Sequence, residues 1–249
     1  MKHIQLALSF LTVIPMRVTG TLQPRDRGRP GAWFPAGGLL IGLLLAGARF
    51  GLDWLFTNAQ APEQPVVMLV SVLVVALWAG LTGGLHLDGL ADCCDGLLAA
   101  VSSERRLEIM KDPRLGTFGG AGLVLYLLSK VTALAALPAG IFLPLLLAPV
   151  LARWLILIAA WQPMARPGGL GAEFAAGVTW RTFGYAALVP LVVIVAGGPR
   201  AVVAAVLAHL AALAIFQLAR SRLGGVTGDV LGLIVEITEV VVLLVYAAR

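Results

Sequence analysis

Charged side chains are scarce in this chain, at 12% of 249 residues, where an ordinary soluble domain carries about 25%. So few charges cannot clothe a water-facing surface of this size, which excludes a soluble globular domain. Cysteine is nearly absent: Cys93 and Cys94 are the two, and they are adjacent. That pair forms neither a disulfide framework nor a zinc spacing, and is read as small, reduced filler on a helix. The formal charge of +5 comes without any basic run or continuous groove, so nucleic acid is not an expected partner. Internal repeats, inverted symmetry between halves, low-complexity tails and polar linkers are also missing. Nothing divides residues 1–249 into more than one domain.

Apolar residues fill the space the charges leave, at 59% of the chain with a mean hydropathy of +0.94. They fall in runs near the ~20 residues a helix needs to cross a bilayer. Lipid leaves open sheet edges unsatisfied, so the spans are helices. The expected fold is an all-α, polytopic integral membrane bundle of about seven transmembrane helices. The spans are expected at Trp33–Phe56, Pro65–Leu85, Phe118–Leu137, Phe142–Trp161, Phe183–Gly197, Ala201–Ala219 and Val230–Ala247. The fifth is short and contains Pro190, which suggests a broken or tilted helix. Ile4–Pro15 lacks a cleavage site and is expected as a retained N-terminal interfacial helix. Short helices in the cytoplasmic loops complete the picture. Trp33, Trp54, Trp154 and Trp161 lie near span ends, where amphipathic rings sit at headgroup level.

Lys and Arg in the connections set the orientation. One side collects thirteen: Lys2, Arg17, Arg25, Arg27, Arg29, Arg105, Arg106, Lys111, Arg114, Arg166, Arg181, Arg220 and Arg222. The other side has two, Arg200 and Arg249. The positive-inside bias puts the N-terminus in the cytoplasm and the C-terminus outside, in the inner (cytoplasmic) membrane.

Acids appear where they are costly. In TGGLHLDGLADCCDG, Asp88, Asp92 and Asp95 are spaced i, i+4, i+7, within about 60° of one another on a helical wheel. Three carboxylates on one stripe repel one another unless a cation compensates. A hard divalent ion such as Mg²⁺ suits oxygen ligands of this kind; the competing reading is a solvated polar face. His86 lies on the far side of the same helix, as a substrate contact or as packing. Downstream, MKDPRLGTFGG offers Lys111 and Arg114 as phosphate donors. Asp112 is a further ligand or the residue that orients Arg114, unless the segment is an ordinary basic loop. Asp229, Glu236 and Glu239 form a second acidic group in GGVTGDVLGLIVEITE. Ionisable residues inside a span mark function or pair with one another, so the glutamates either join the first cluster or neutralise intramembrane Lys130 and Arg153. Arg166, in ARPGGLGAEF, belongs to a substrate flap or a turn.

Together TGGLHLDGLADCCDG, EIMKDPRLGTFGG, ARPGGLG and GGVTGDVLG…E..E, with the early LSFLTVIPM and WFPAGGLLIG, resemble the cobalamin synthase family of adenosylcobinamide-GDP ribazoletransferases. The resemblance runs in order over nearly the whole chain and departs at Pro113 and Phe118. It implies a Mg²⁺-dependent transfer in which adenosylcobinamide-GDP and α-ribazole, or its 5′-phosphate, give the cobalamin product and GMP. Asp88, Asp92 and Asp95 would then hold magnesium, with Asp229 and Glu236 as further ligands. Glu239 stands beside them as a metal-site residue or base, and Lys111 and Arg114 neutralise the leaving GMP. His86, Asp112, Arg166, Thr227 and Asp229 are the implied substrate contacts. A CDP-alcohol phosphotransferase, a prenyltransferase and a cation-coupled transporter are the rival readings. No motif speaks to oligomeric state.

Overall fold

The computed structural model describes residues 2–13, 28–56, 64–138, 140–166, 175 and 177–248. Among them the chain forms α1 (Lys2–Leu11), a short 3₁₀ turn (Arg29–Trp33), α2 (Phe34–Phe56), α3 (Gln64–Leu81) and α4 (Leu85–Leu98). Then come α5 (Ser103–Ile109), α6 (Thr117–Ala135), α7 (Leu143–Ala159), α8 (Trp180–Leu223) and α9 (Gly228–Ala247). No strand occurs among the described residues. Helices α2 (with the 3₁₀ turn before it), α3, α6, α8 and α9 are long and apolar enough to cross a membrane, and α7 is a shorter apolar helix.

Helix α8 holds 44 residues, roughly 66 Å if straight, about twice the bilayer's hydrocarbon core. It is not straight. Gly198 leaves helical geometry at φ 63° and ψ −157°, just before Pro199, a left-handed φ that glycine alone adopts without strain. The direction of the bend follows from Trp154 on α7. Its ring lies 4.3 Å from that of Phe183, and its indole N–H donates to His209 Nε2 at 3.2 Å. Phe183 and His209 would stand about 39 Å apart on a straight helix, so the chain reverses at Gly198. The two limbs are the expected fifth and sixth spans, joined with almost no loop. Pro190 breaks nothing: the first limb starts at Trp180, earlier than expected, and runs helical through it. The expected second span also stops sooner, at Leu81, because Gly83 and Gly84 take positive φ and turn the chain into α4.

Glycine lets the backbones approach. A Cβ on Gly38 or Gly42 would stand 2.3 or 2.7 Å from carbonyl oxygens of Pro149 and Leu145, so α2 and α7 pack nearly backbone to backbone, as small-residue pairs allow in lipid. Exposed Leu43, Leu44, Leu191, Val192 and Val195 face outward, the apolar exterior that lipid accommodates. At the N-terminus α1 lays Ala7 and Leu11 against α2, and Phe10 stacks on Phe34 at 5.6 Å.

Candidate active site

Helix α4 is clasped between two neighbours. On one side a Cβ at Gly89 would lie 2.8 Å from the Asp229 carbonyl, and one at Gly232 would lie 3.1 Å from the His86 carbonyl. On the other side a Cβ at Gly122 would lie 2.5 Å from Cys94 Sγ. These three glycine contacts fix the register of α4 against α9 and α6. Cys93 is buried, as filler should be.

That register brings Asp229 to the first acidic stripe. Asp88 is exposed and Asp92 partly buried. Burial first, then the charges of Asp88, Asp229 and Asp95, push the Asp92 carboxyl up to about 6, and Arg166 opposes them. Three other carboxylates thus bear on Asp92, and among the described residues one guanidinium opposes them. Arg166 reaches them because its loop is strapped to the start of α9: Ala165 N–H donates to the Val226 carbonyl at 2.9 Å, and Val226 N–H to Pro163 at 2.8 Å. Gly225 permits the strap, since a Cβ there would stand 2.3 Å from the Pro163 carbonyl. Arg166 donates one Nη2 bond to the Leu107 carbonyl at 2.7 Å, and its buried Nε finds no partner among the described residues. The rest of the suspected flap, residues 167–174, lies outside the described residues.

Asp95 faces differently from its two companions. Its Oδ2 accepts the Gly116 N–H at 2.8 Å and its Oδ1 the Gly119 N–H at 2.8 Å, so its carboxylate sits on the N-terminus of α6. Thr227 caps α9, accepting from Val230 N–H at 3.3 Å and donating to Asp229 Oδ2 at 3.2 Å. Arg114 is exposed and clasped by its neighbour Asp112 at 2.9 and 2.6 Å, which holds the Asp112 carboxyl down to about 2. Lys111 is exposed on the same loop.

The expected merger of the two acidic groups occurs for Asp229 only. Glu236 and Glu239 sit deeper, in a buried network. Lys130 Nζ binds Glu239 Oε2 at 2.6 Å and Glu236 Oε2 at 3.1 Å, under the face of Trp78 at 4.0 Å. Tyr126 donates to Glu236 and Arg153 to Glu239. Two cations meet two carboxylates here, the pairing that helix periodicity left open. His86 borders this network, not the acid face. Burial, then Arg153, drive its imidazole pKa down to about 3, with Glu239 opposing and Lys130 assisting, so it stays neutral. Sequence reasoning missed Arg106, which is buried and donates to the Gly96 and Leu97 carbonyls at 2.9 and 2.7 Å. Its only signal was an arginine two turns beyond a helix that lacks a glycine cap.

The donors here are of the kind that hard divalent cations such as Mg²⁺ take. Asp88, Asp92 and Asp229 offer hard oxygens on a face where carboxylates outnumber cations. Among the described residues no group of three or more His, Cys, Asp or Glu side chains is arranged to hold a metal ion. That is compatible with an ion that takes one or two carboxylates and leaves other positions to water and substrate phosphates.

Fold and site together define a polytopic helical membrane protein with an acidic face at one end of the bundle. The chain belongs to the cobalamin-5-phosphate synthase family, which it matches over residues 3–247. It is 41% identical over 254 residues to a Pseudomonas paraeruginosa protein, covering 99% of this chain and 98% of the relative. A Geotalea daltonii relative is 39% identical, over 97% of this chain and 95% of its own length. One from Herpetosiphon aurantiacus is 36% identical, over 99% and 96%. All three are named adenosylcobinamide-GDP ribazoletransferase. No solved structure matches the chain.

Proposed function

We propose that this chain joins adenosylcobinamide-GDP to α-ribazole, or to its 5′-phosphate, and releases GMP, a nucleotide-loop step of cobalamin biosynthesis. A ribose hydroxyl of the acceptor attacks the phosphorus that bears the cobinamide. The new P–O bond forms as the bond to GMP breaks, and the hydroxyl proton passes to a base. The observation that carries the chemistry is the acid face, where Asp88, Asp92 and Asp229 lie together and, among the described residues, Arg166 is the cation that opposes their charge at Asp92. A pyrophosphate cannot enter such a face without cations. Asp88, Asp92 and Asp229 are the residues that would hold Mg²⁺, which when bound neutralises the pyrophosphate oxygens. Arg166, whose charge opposes the carboxylates around Asp92, would meet a phosphate oxygen. Lys111 and Arg114, on the adjoining loop, supply charge for the departing GMP.

The lysine and arginine asymmetry supports an inner-membrane protein whose acid face looks into the cytoplasm, where nucleotide substrates are found. The transporter reading loses its motive, because Lys130 and Arg153 are paired with Glu236 and Glu239 inside the bundle. The purified protein in detergent should release GMP from adenosylcobinamide-GDP only when α-ribazole and Mg²⁺ are both present. Release that ignores Mg²⁺, or its absence at every Mg²⁺ concentration, overturns the reading.

A further inference from the structure

We propose that Asp95, the third acid of the stripe, is a positioning residue that pins the cationic loop 111–115 to α4 and is not a ligand of the metal. The inference rests on the proposed reaction for its metal and its substrate, and on geometry for the role of Asp95. Gly116 stands at the N-cap of α6 and has no side chain with which to cap the helix. The orphan amides of that first turn are met from another helix, by Asp95 Oδ2 on Gly116 N–H and Oδ1 on Gly119 N–H. Both carboxylate oxygens are thereby engaged, on the positive end of a 19-residue helix. The fit depends on glycine: a Cβ at Gly116 or at Gly119 would lie 2.3 Å from a carboxylate oxygen of Asp95.

The other end of the loop docks on the same turn of α4. Arg106 donates to the Gly96 and Leu97 carbonyls, and Met110 is buried so closely against Gly96 that a Cβ there would meet its Cγ at 2.3 Å. Residues 95–97 therefore anchor both ends of the segment that carries Lys111 and Arg114. The acid stripe is divided in labour: Asp88 and Asp92 face the cation site with Asp229, and Asp95 holds the phosphate-binding loop beside it.

Full-length protein in detergent, wild type and the variants Asp95→Asn and Asp92→Asn, tests this. Mg²⁺ binding is read by intrinsic tryptophan fluorescence, loop order by hydrogen exchange of peptides covering 111–120, and turnover by GMP release. Asp95→Asn should leave the Mg²⁺ midpoint within about twofold of wild type, whereas Asp92→Asn weakens it about tenfold or more. Asp95→Asn should also speed exchange at 116–120 about tenfold and raise KM for adenosylcobinamide-GDP more than it lowers kcat. A Mg²⁺ midpoint weakened as far as in Asp92→Asn, or unchanged exchange at 116–120, overturns the proposal. If Asp92→Asn leaves the midpoint unmoved, the metal reading of the acid face fails, and exchange still decides the role of Asp95. Should Asp95→Asn not accumulate, Gly116→Ala displaces the same carboxylate and carries the same readouts.

Discussion

Two acidic regions lie on either side of α4, and their charge balance sets them apart. In the bundle interior Glu236 and Glu239 meet Lys130 and Arg153, two against two, with nearly every group buried from solvent. At the mouth of the bundle Asp88, Asp92 and Asp229 lie together, and among the described residues Arg166 is the cation that opposes their charge at Asp92. The interior group is closed by the protein itself, because an unpaired charge among lipid-facing helices is prohibitive. The outer group carries an excess of negative charge among the described residues, as the proposed cation site requires. Chemistry belongs to the open region and architecture to the closed one.

Breaking the closed network should have the largest effect. Arg153→Leu leaves Glu239 short of a partner at a site with 0% exposure, a cost of about 3–5 kcal/mol. Little folded protein is expected on size-exclusion chromatography in detergent. The double variant Arg153→Met with Glu239→Met leaves Lys130 paired to Glu236 and should recover most of the yield. If the double variant is no better than the single one, the charges are not what the network balances.

The open region should respond in the opposite way. Asp92→Asn should lower Mg²⁺-dependent turnover about a hundredfold or more without lowering the melting temperature, since it removes repulsion. A melting temperature that falls with activity would make Asp92 a structural acid like Glu239. Glycine contacts come next: Gly89→Ala drives a methyl to 2.8 Å from the Asp229 carbonyl and should cost about 1–3 kcal/mol by overpacking, measured by thermal unfolding.

A smaller, pH-dependent effect separates the regions further. Asp92 titrates at about 6 when folded, against 3.8 for the free side chain, so the folded state holds this proton longer than the unfolded one. Its contribution to stability is therefore full below pH about 4 and is lost as pH rises through about 6. Melting curves in chelator should show that decline, and added Mg²⁺ should offset it only above pH about 6. Asp92→Asn should flatten both. The least effect is expected for Asp112→Asn. Its pairing with Arg114 lies at the surface, with Arg114 well exposed, and stability should stay within error of wild type.

Composition and hydropathy alone determined that this chain is a helical membrane protein, because scarce charge and span-length apolar runs have no other solvent than lipid. Helical spacing alone placed Asp88 and Asp92 on one stripe, since that relation is local to a single element. It also showed Asp95 on the stripe but not its partner, because a carboxylate that accepts from Gly116 and Gly119 looks, in one dimension, like one awaiting a metal. Asp229 was visible as an acid at a helix start, and only the backbone contact between Gly89 and α9 brought it to Asp92. Glu236 and Glu239 were visible as costly, yet whether a metal or a lysine met that cost depended on α6 and α7, about a hundred residues away. The reversal at Gly198 was hidden for a related reason: one glycine before a proline reads as a weak break until a bilayer of fixed thickness demands a turn. Periodicity states which face of a helix is polar, and packing decides what that face meets.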